Sequence, residues 1–431
     1  MASRLYVHDR ARERPGDARY ALDLGDDEAA KVIHVLRLGP YDDVVGPSDV
    51  VGLGDAADLR DSDSHVGSLP DLGLDENVRL HHVALHSRGC HGNATVGTRA
   101  EKQRVGVPEV IITVADLGEF GLIAAIQEVL PLNPAAIVGV GDDAAVLAAP
   151  DGRVVASTDL LVEGRHFRRD WSPPQDIGAK AAAQNLADIA AMGAMPTALL
   201  FGLAIPGHIE VAWVLDVTRG MAAECGRAGA AIVGGDITSA EAVMFGITAL
   251  GQLAGRAPVT RSGARPGDVL AISGPVGRSA AGLALLQAGM TDGSPAVSGL
   301  AAAHRRPQPD YEAGPQAAAA GATAMIDVSD GLVADLGHIA IASGVTLAVD
   351  TRRLPGASDL LAAAALLDAD WHEWALTGGE DHALAATFRA LSDVPARWTV
   401  IGSAGRGGEV LVNGRTWNGV AGWDHFPTPG D

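Results

Sequence analysis

One pattern recurs along this chain and limits what it can fold into: a short apolar run that stops at glycine and then at aspartate. It is densest in residues 137–166, IVGVGDDAAVLAAPDGRVVASTDLLVEGRH. A run of Val, Ile and Ala bounded in this way reads as a buried strand delivering carboxylates to its end. The first run ends at Gly141, Asp142 and Asp143, and the second at Ser157, Thr158 and Asp159. Between them, Ala149-Pro150-Asp151-Gly152 has turn chemistry. The expectation is a hairpin that carries both clusters to one edge. Hard oxygen ligands converging there suit Mg²⁺ and, through Mg²⁺, phosphate. Taken singly, such a cluster fits a turn or a cap better than a site.

The rest of the chain raises the odds. Asp236, Asp327 and Asp330 also follow apolar runs, and Asp188 stands in the Ala-rich helical stretch 177–194, three residues after Asn185 and eight after Lys180. Carboxylates gathered on one edge repel one another unless cations bridge them. Several Mg²⁺ ions are therefore expected. Gly139, Gly141, Gly234, Gly235, Gly378 and Gly379 stand where backbone N–H groups would approach phosphate, and Ser329 to Gly331 open a helix whose free N–H groups favour an anion. There is no G-x-x-x-x-G-K-[ST], no kinase loop motif and no G-x-S-x-G, and none of the three lysines follows a glycine. Phosphate charge must then be met by metals and arginine, with Arg261 the best-placed candidate.

With 431 residues, 47% of them hydrophobic, the chain can build more than one core. A net charge of −21 argues against a nucleic-acid surface. Two cysteines outside any C-x-x-C pair fit a reducing cytoplasm, and no stretch reads as a signal peptide or a membrane span. Residues 1–108 hold half of the 14 histidines with little sustained periodicity. They read as an extension of uncertain origin, expected to be disordered, and the spacing of His81, His82, His86, Cys90 and His91 fits no common zinc pattern.

From residue 109 the texture is α/β. Residues 116–130 give an amphipathic helix with Leu117, Phe120, Leu122, Ile123, Ile126, Val129 and Leu130 on its apolar face. The order β-β-α-β-α-β-β follows to about residue 256, predicting helices on one face of a largely antiparallel sheet. A Pro/Gly/Arg-rich connector at 255–268 separates this domain (109–256) from a second (257–431). In the latter, residues 374–388 read as strand, glycine turn and strand.

GVGDDAAV, STDLLVEGRHF, NLADIAAMGA, VGGDIT, VTRSGARPGD, IDVSDGLVADLGHIA, LTGGEDHAL and GWDHF, in this order over about residues 116–427, resemble the thiamine-monophosphate kinase family. The resemblance implies a PurM-like α/β (α+β) fold of two mixed domains, and a homodimer in which the N-terminal domains pair their sheets. It also implies transfer of the ATP γ-phosphoryl group to thiamine monophosphate, without nucleic-acid or membrane partners. Asp143, Ser157, Thr158, Asp159, Asp188, Asp236, Asp327 and Asp330 match the family's Mg²⁺ ligands. Gly235, Asp236, Arg261 and Ser329 match its ATP contacts, and His166, Glu380 and Trp423 its thiamine contacts. Asp159, Asp188 and Asp236 are expected at the transferring phosphoryl group, with Asp327 and Asp330 closing the cage and Asp330 counted with the catalytic set. Trp423 departs from the family, where Tyr is commoner; a flat aromatic still stacks on a cationic ring. Two alternatives remain at this point. One is another synthetase of the fold, of aminoimidazole-ribotide or selenophosphate type. The other is a non-catalytic Mg²⁺/nucleotide-binding protein.

Overall fold

The computed structural model describes residues 5–7, 20–22, 31–33, 85–87, 111–131, 136–140, 144–290, 294–417, 419 and 421–423. The chain divides into two units, Met1–Gly106 and Val107–Asp431. In the first, β1 (Leu5–Val7) pairs with β2 (Tyr20–Leu22), and β3 (Lys31–Ile33) with β4 (Leu85–Ser87), both antiparallel. Otherwise the expectation of disorder over 1–108, and the histidine-rich stretch 81–91, lie outside the described residues.

The second unit opens with α1 (Val114–Val129), whose capping box joins Thr113 and Asp116. Its expected apolar face is only partly used. Leu122 and Ile126 are buried, whereas Phe120 is 81% exposed. β5 (Ala136–Val138) pairs with β6 (Val146–Leu147), and β7 (Val155–Val162) pairs instead with β10 (Met244–Gln252). The hairpin expected over 137–159 therefore does not form. The turn is present, with Gly152 N donating to Ala149 O at 3.0 Å, but it joins strands of different sheets. Eight-residue β7 finds a full-length antiparallel partner in β10 that three-residue β5 cannot offer.

Between β7 and β10 run α2 (Pro174–Ala191), β8 (Met195–Ile205), α3 (Val211–Ala228) and β9 (Ala231–Ser239). The sheet order is β7-β10-β8-β9, antiparallel except for β8/β9. Helices α2 and α3 cover one face, over Leu161, Leu199, Phe201, Phe245 and Ile247. They approach so closely that a Cβ on Gly178 or Gly220 would overlap the facing helix's backbone. The other face is open. Its ladder rows carry Leu160, 59% exposed, and Thr158, Thr248, Gly246 and Gly202.

After the connector come β11 (Val269–Ser273), α4 (Arg278–Gln287), α5 (Pro295–Arg305), α6 (Ala313–Ala319), β12 (Ala324–Val328), α7 (Leu332–Ser343) and β13 (Val345–Val349). The chain ends in α8 (Ala357–Leu367), α9 (Trp371–Thr377), β14 (Ala383–Phe388), β15 (Thr399–Arg406), β16 (Val410–Val412) and β17 (Arg415–Thr416). These seven strands form one sheet in the order β12-β14-β11-β15-β13-β16-β17. A strand expected at 374–377 is instead the end of α9, nucleated by Asp370, whose side chain accepts from His372 N.

Helix α2 is the spine of the unit. Thirteen of its 18 residues are buried. Ile177, Ala181, Ala182, Leu186 and Ile189 enter the core of the first sheet, while Ala190 and Ala191 form a separate cluster with Ala313 and Ala317 of α6 and Met325, Leu384 and Phe388 of the second sheet. Alanine makes this possible, because both sheets can come near a helix that has almost no side-chain bulk. Polar groups on α2 are thereby forced into the seam between the two sheets. Among the described residues no helix is long and apolar enough to cross a membrane.

Candidate active site

The seam gathers several of the candidate residues. Lys180, Gln184 and Asp188 recur every four residues, so they form one stripe along α2. Asp188 accepts from Ser157 Oγ at 2.6 Å, and Gln184 Nε2 donates to Asp159 Oδ2 at 3.2 Å. Beside the stripe, Asn185 is fully buried; its Oδ1 accepts from Asp159 N at 3.1 Å while its Nδ2 donates to Ala181 O. From the second sheet, Asp327 on β12 approaches Asp188. Burial pushes the Asp188 carboxyl up to about 7, with the charges of Asp327 and Asp159 adding to the effect and the Ser157 hydrogen bond opposing it. Asp327 Oδ2 is buried without a hydrogen bond, its near neighbour being His382 Nδ1 at 3.6 Å. Although burial opposes it, the carboxylates of Asp327, Asp188 and Glu380 hold the His382 imidazole above its usual range.

The loop 329–331 and the turn 378–382 are laced together. Glu380 N donates to Ser329 O at 2.8 Å and His382 N to Val328 O at 3.0 Å. Both Glu380 and His382 adopt left-handed backbone conformations. A Cβ on Gly379 would overlap Ser329 O, and one on Gly235 would overlap Phe201 O. These two glycines therefore answer to close backbone packing. The helix entrance at 329–331 is also already occupied: Asp330 N and Gly331 N both donate to Asp335 Oδ2 at 3.1 Å. Burial, with Asp327 and Asp330 nearby, pushes Asp335 up to about 7. Asp381 is pushed to about 7 by burial despite accepting from Ser279 N and Gly277 N.

Glu380 meets α2. Its Oε2 accepts from Lys180 Nζ at 3.1 Å and lies 3.4 Å from His304 Nδ1. Burial works against its charge, but the Lys180 ammonium, by its charge and its hydrogen bond, outweighs it and holds the carboxyl below its usual range. Burial and the same ammonium press His304 down to about 4, so its ring is neutral.

The expected residues are thus divided. Ser157, Asp159, Asp188 and Asp327 come together. Thr158 and Asp236 do not join them, because a strand turns successive side chains to opposite faces. Thr158 Oγ1 accepts from Thr248 Oγ1 on the open face, and the ladder row Leu160–Gly246–Gly202–Asp236 places Asp236 on that face too. Three strand spacings, about 14 Å, separate the β7 and β9 edges. Asp159 and Asp236 also lie within their strands and not at the ends. Arg261 sits in the connector beside β12, where Thr260 O accepts from Met325 N and Arg261 O from Ser343 Oγ. His166 Nδ1 accepts from Val162 N at 3.0 Å in the turn after β7. Trp423, 60% exposed, lies against the 330 loop, its N donating to Asp330 O at 2.9 Å. Asp143 lies outside the described residues. Among those described, no three of His, Cys, Asp and Glu form a ready-made metal cluster. The buried, unbonded Asp327 oxygen and the strained ionisation of Asp188 nevertheless fit a cation between them.

Sequence reasoning missed Asp335, His304 and His382, and gave Lys180 no role. Only Lys180 carried a signal, as a lone cation in an Ala-rich helix.

Known proteins share both the sequence and the fold of this chain. The family description AIR synthase related protein, N-terminal domain, matches residues 141–253, and the corresponding C-terminal domain matches 265–412. The thiamine-monophosphate kinase of Mycobacterium tuberculosis (strain ATCC 25618 / H37Rv) is 50% identical over 319 residues, 74% of this chain and 94% of that protein. A crystal structure of thiamine-monophosphate kinase from Stenotrophomonas maltophilia K279a shares 32% identity and a TM-score of 0.60, covering 68% of this chain and 95% of its own. A structure of AaThiL complexed with AMPPCP and TMP shares 33% identity and a TM-score of 0.60, covering 72% and 98%. With half of the 319 aligned residues identical, over 94% of such a relative, the chain belongs to the thiamine-monophosphate kinase family.

Proposed function

We propose that this chain transfers the γ-phosphoryl group of ATP to thiamine monophosphate, giving thiamine diphosphate. The observation that carries the reading is the carboxylate seam: Asp188, buried beside Asp159 and Asp327, has its ionisation suppressed to about 7. Such a seam waits for cations. Asp159, Asp188 and Asp327 would hold Mg²⁺ there, with Ser157, Asp330 and Asp143 contributing; bound Mg²⁺ supplies charge neutralisation for in-line transfer. The acceptor is an ionised phosphate oxygen, so no strong general base is needed. Ser329, Gly235 and Arg261 are assigned to ATP, and His166, Glu380 and Trp423 to thiamine. The complex of a relative with AMPPCP and TMP supports both substrates. The identity to thiamine-monophosphate kinases disfavours the synthetase and non-catalytic alternatives.

The division into 109–256 and 257–431 is part of the same reading, supported by the two separate sheets. So is a homodimer. The open face of the first sheet, with Leu160 and Met244 exposed, and the uncovered Phe120 of α1 offer apolar surface for a second copy. Asp236 and Thr158 would then act at that interface. A cytoplasmic location follows from the supply of ATP. The test is direct: full-length protein incubated with ATP, Mg²⁺ and thiamine monophosphate should form thiamine diphosphate, with aminoimidazole-ribotide precursor and selenide as control substrates. No thiamine diphosphate under these conditions would defeat the reading.

A further inference from the structure

Lys180 is one of only three lysines in a chain whose other cations are arginines. It is also among the largest fully buried side chains, at 2% exposure. A buried ammonium persists only where an anion meets it, and here that anion comes from the other sheet: Glu380 Oε2, at 3.1 Å. An arginine fork would need several acceptors in a slot that presents one carboxylate oxygen, whereas a compact ammonium on a flexible stem fits. His304 Nδ1 stands 3.4 Å from the same oxygen and is itself within 3.1 Å of Ser279 Oγ. Glu380 is fixed from behind as well, by its left-handed backbone at φ 64° and its N–H bond to Ser329 O. Its side chain remains 30% exposed. Among the described residues both side-chain contacts are made to Oε2, which leaves Oε1 to meet a ligand.

We propose that Lys180 is a positioning residue for the phosphate-acceptor substrate: reaching across the seam from α2, it clamps Glu380 through Oε2 and presents Oε1 to the cationic thiamine moiety. This rests on the reading of Glu380 as a substrate contact. Lys180 touches no reacting atom, so its loss acts on acceptor binding and not on phosphoryl transfer.

The test compares Lys180→Met, Glu380→Gln and the double variant in the full-length protein. Lys180→Met should raise KM for thiamine monophosphate by at least about tenfold, with kcat and the KM for ATP within about threefold. In the Glu380→Gln background it should add less than about twofold, because the group it positions is already neutral. If either single variant fails to fold, the double variant, which buries no unpaired charge, carries the test against wild type: its KM for thiamine monophosphate should rise by at least about tenfold, and an unchanged KM would overturn the proposal. Unchanged KM for thiamine monophosphate in Lys180→Met would overturn the proposal, as would a loss confined to kcat or to ATP binding. So would a further loss on adding Lys180→Met to Glu380→Gln. If Glu380→Gln alone leaves that KM unchanged, the assignment of Glu380 itself fails and the proposal with it. A raised KM in Glu380→Gln beside an unchanged one in Lys180→Met defeats only the role of Lys180.

Discussion

Replacing Asp188 by Asn should make the metal-free protein more stable at neutral pH while destroying its activity. The ordinary aspartate value of 3.8 is raised to about 7 in the fold, chiefly by burial and then by Asp327. Between these two pH values the folded chain binds a proton that the unfolded chain has released. Stability therefore falls as pH rises through this window, and the loss is complete above about 7. At about 1.4 kcal/mol per pH unit, ionised Asp188 costs the fold about 4 kcal/mol at most, and asparagine removes the cost. Asn can still accept from Ser157 Oγ, so little packing is lost. Urea unfolding in chelator, followed by tryptophan fluorescence, should find Asp188→Asn about 2–4 kcal/mol more stable than wild type near pH 8 and nearly equal to it near pH 4. Asp335 and Asp381, also raised to about 7, are present in both proteins and cancel in the difference. Added Mg²⁺ should stabilise wild type and not the variant, whose turnover should fall by at least about 100-fold. A variant no more stable than wild type near pH 8, or one with an unchanged pH slope, would refute the reasoning.

Two further substitutions probe the frame. Gly331 has φ of 134°, and a Cβ there would lie 2.7 Å from Thr377 O; Gly331→Ala should cost about 2 kcal/mol or more and lower the melting temperature accordingly. Buried Tyr311 donates to the buried Glu224 carboxylate at 2.6 Å, tying α3 to the segment after α5 alongside Arg227 and Arg306. Tyr311→Phe should lose about 1–3 kcal/mol in urea unfolding, because it removes a hydrogen bond to a charged group.

Much of the architecture was legible because it rests on local chemistry. The strands of the first sheet, α2 and α3 follow from apolar runs bounded by glycine and proline, and they stand close to where those signals put them. The exceptions have physical causes. Residues 374–377 carry the apolar content of a strand, but the Asp370 cap upstream commits them to α9. The face of α1 is apolar by sequence and yet half exposed, since amphipathicity says which side seeks cover and not whether one chain supplies it.

The glycine-aspartate pattern determined by itself that acidic groups would gather, since runs of Val and Ile must be buried and the polar residues interrupting them must find partners. It could also have warned that Ser157, Thr158 and Asp159 cannot all point one way, because strand alternation is a local rule. What only the tertiary structure decided is which carboxylates meet. Strand order sends β7 and β9 to opposite edges of their sheet and so parts Asp236 from Asp159. Packing of the second sheet on α2 brings Asp327 to Asp188 and Glu380 to Lys180, pairs separated by 139 and 200 residues. An alanine-rich helix gives no hint of its buried face, because it can be buried on every side, and the environment that suppresses Asp188 and anchors Lys180 exists only when both sheets close on it.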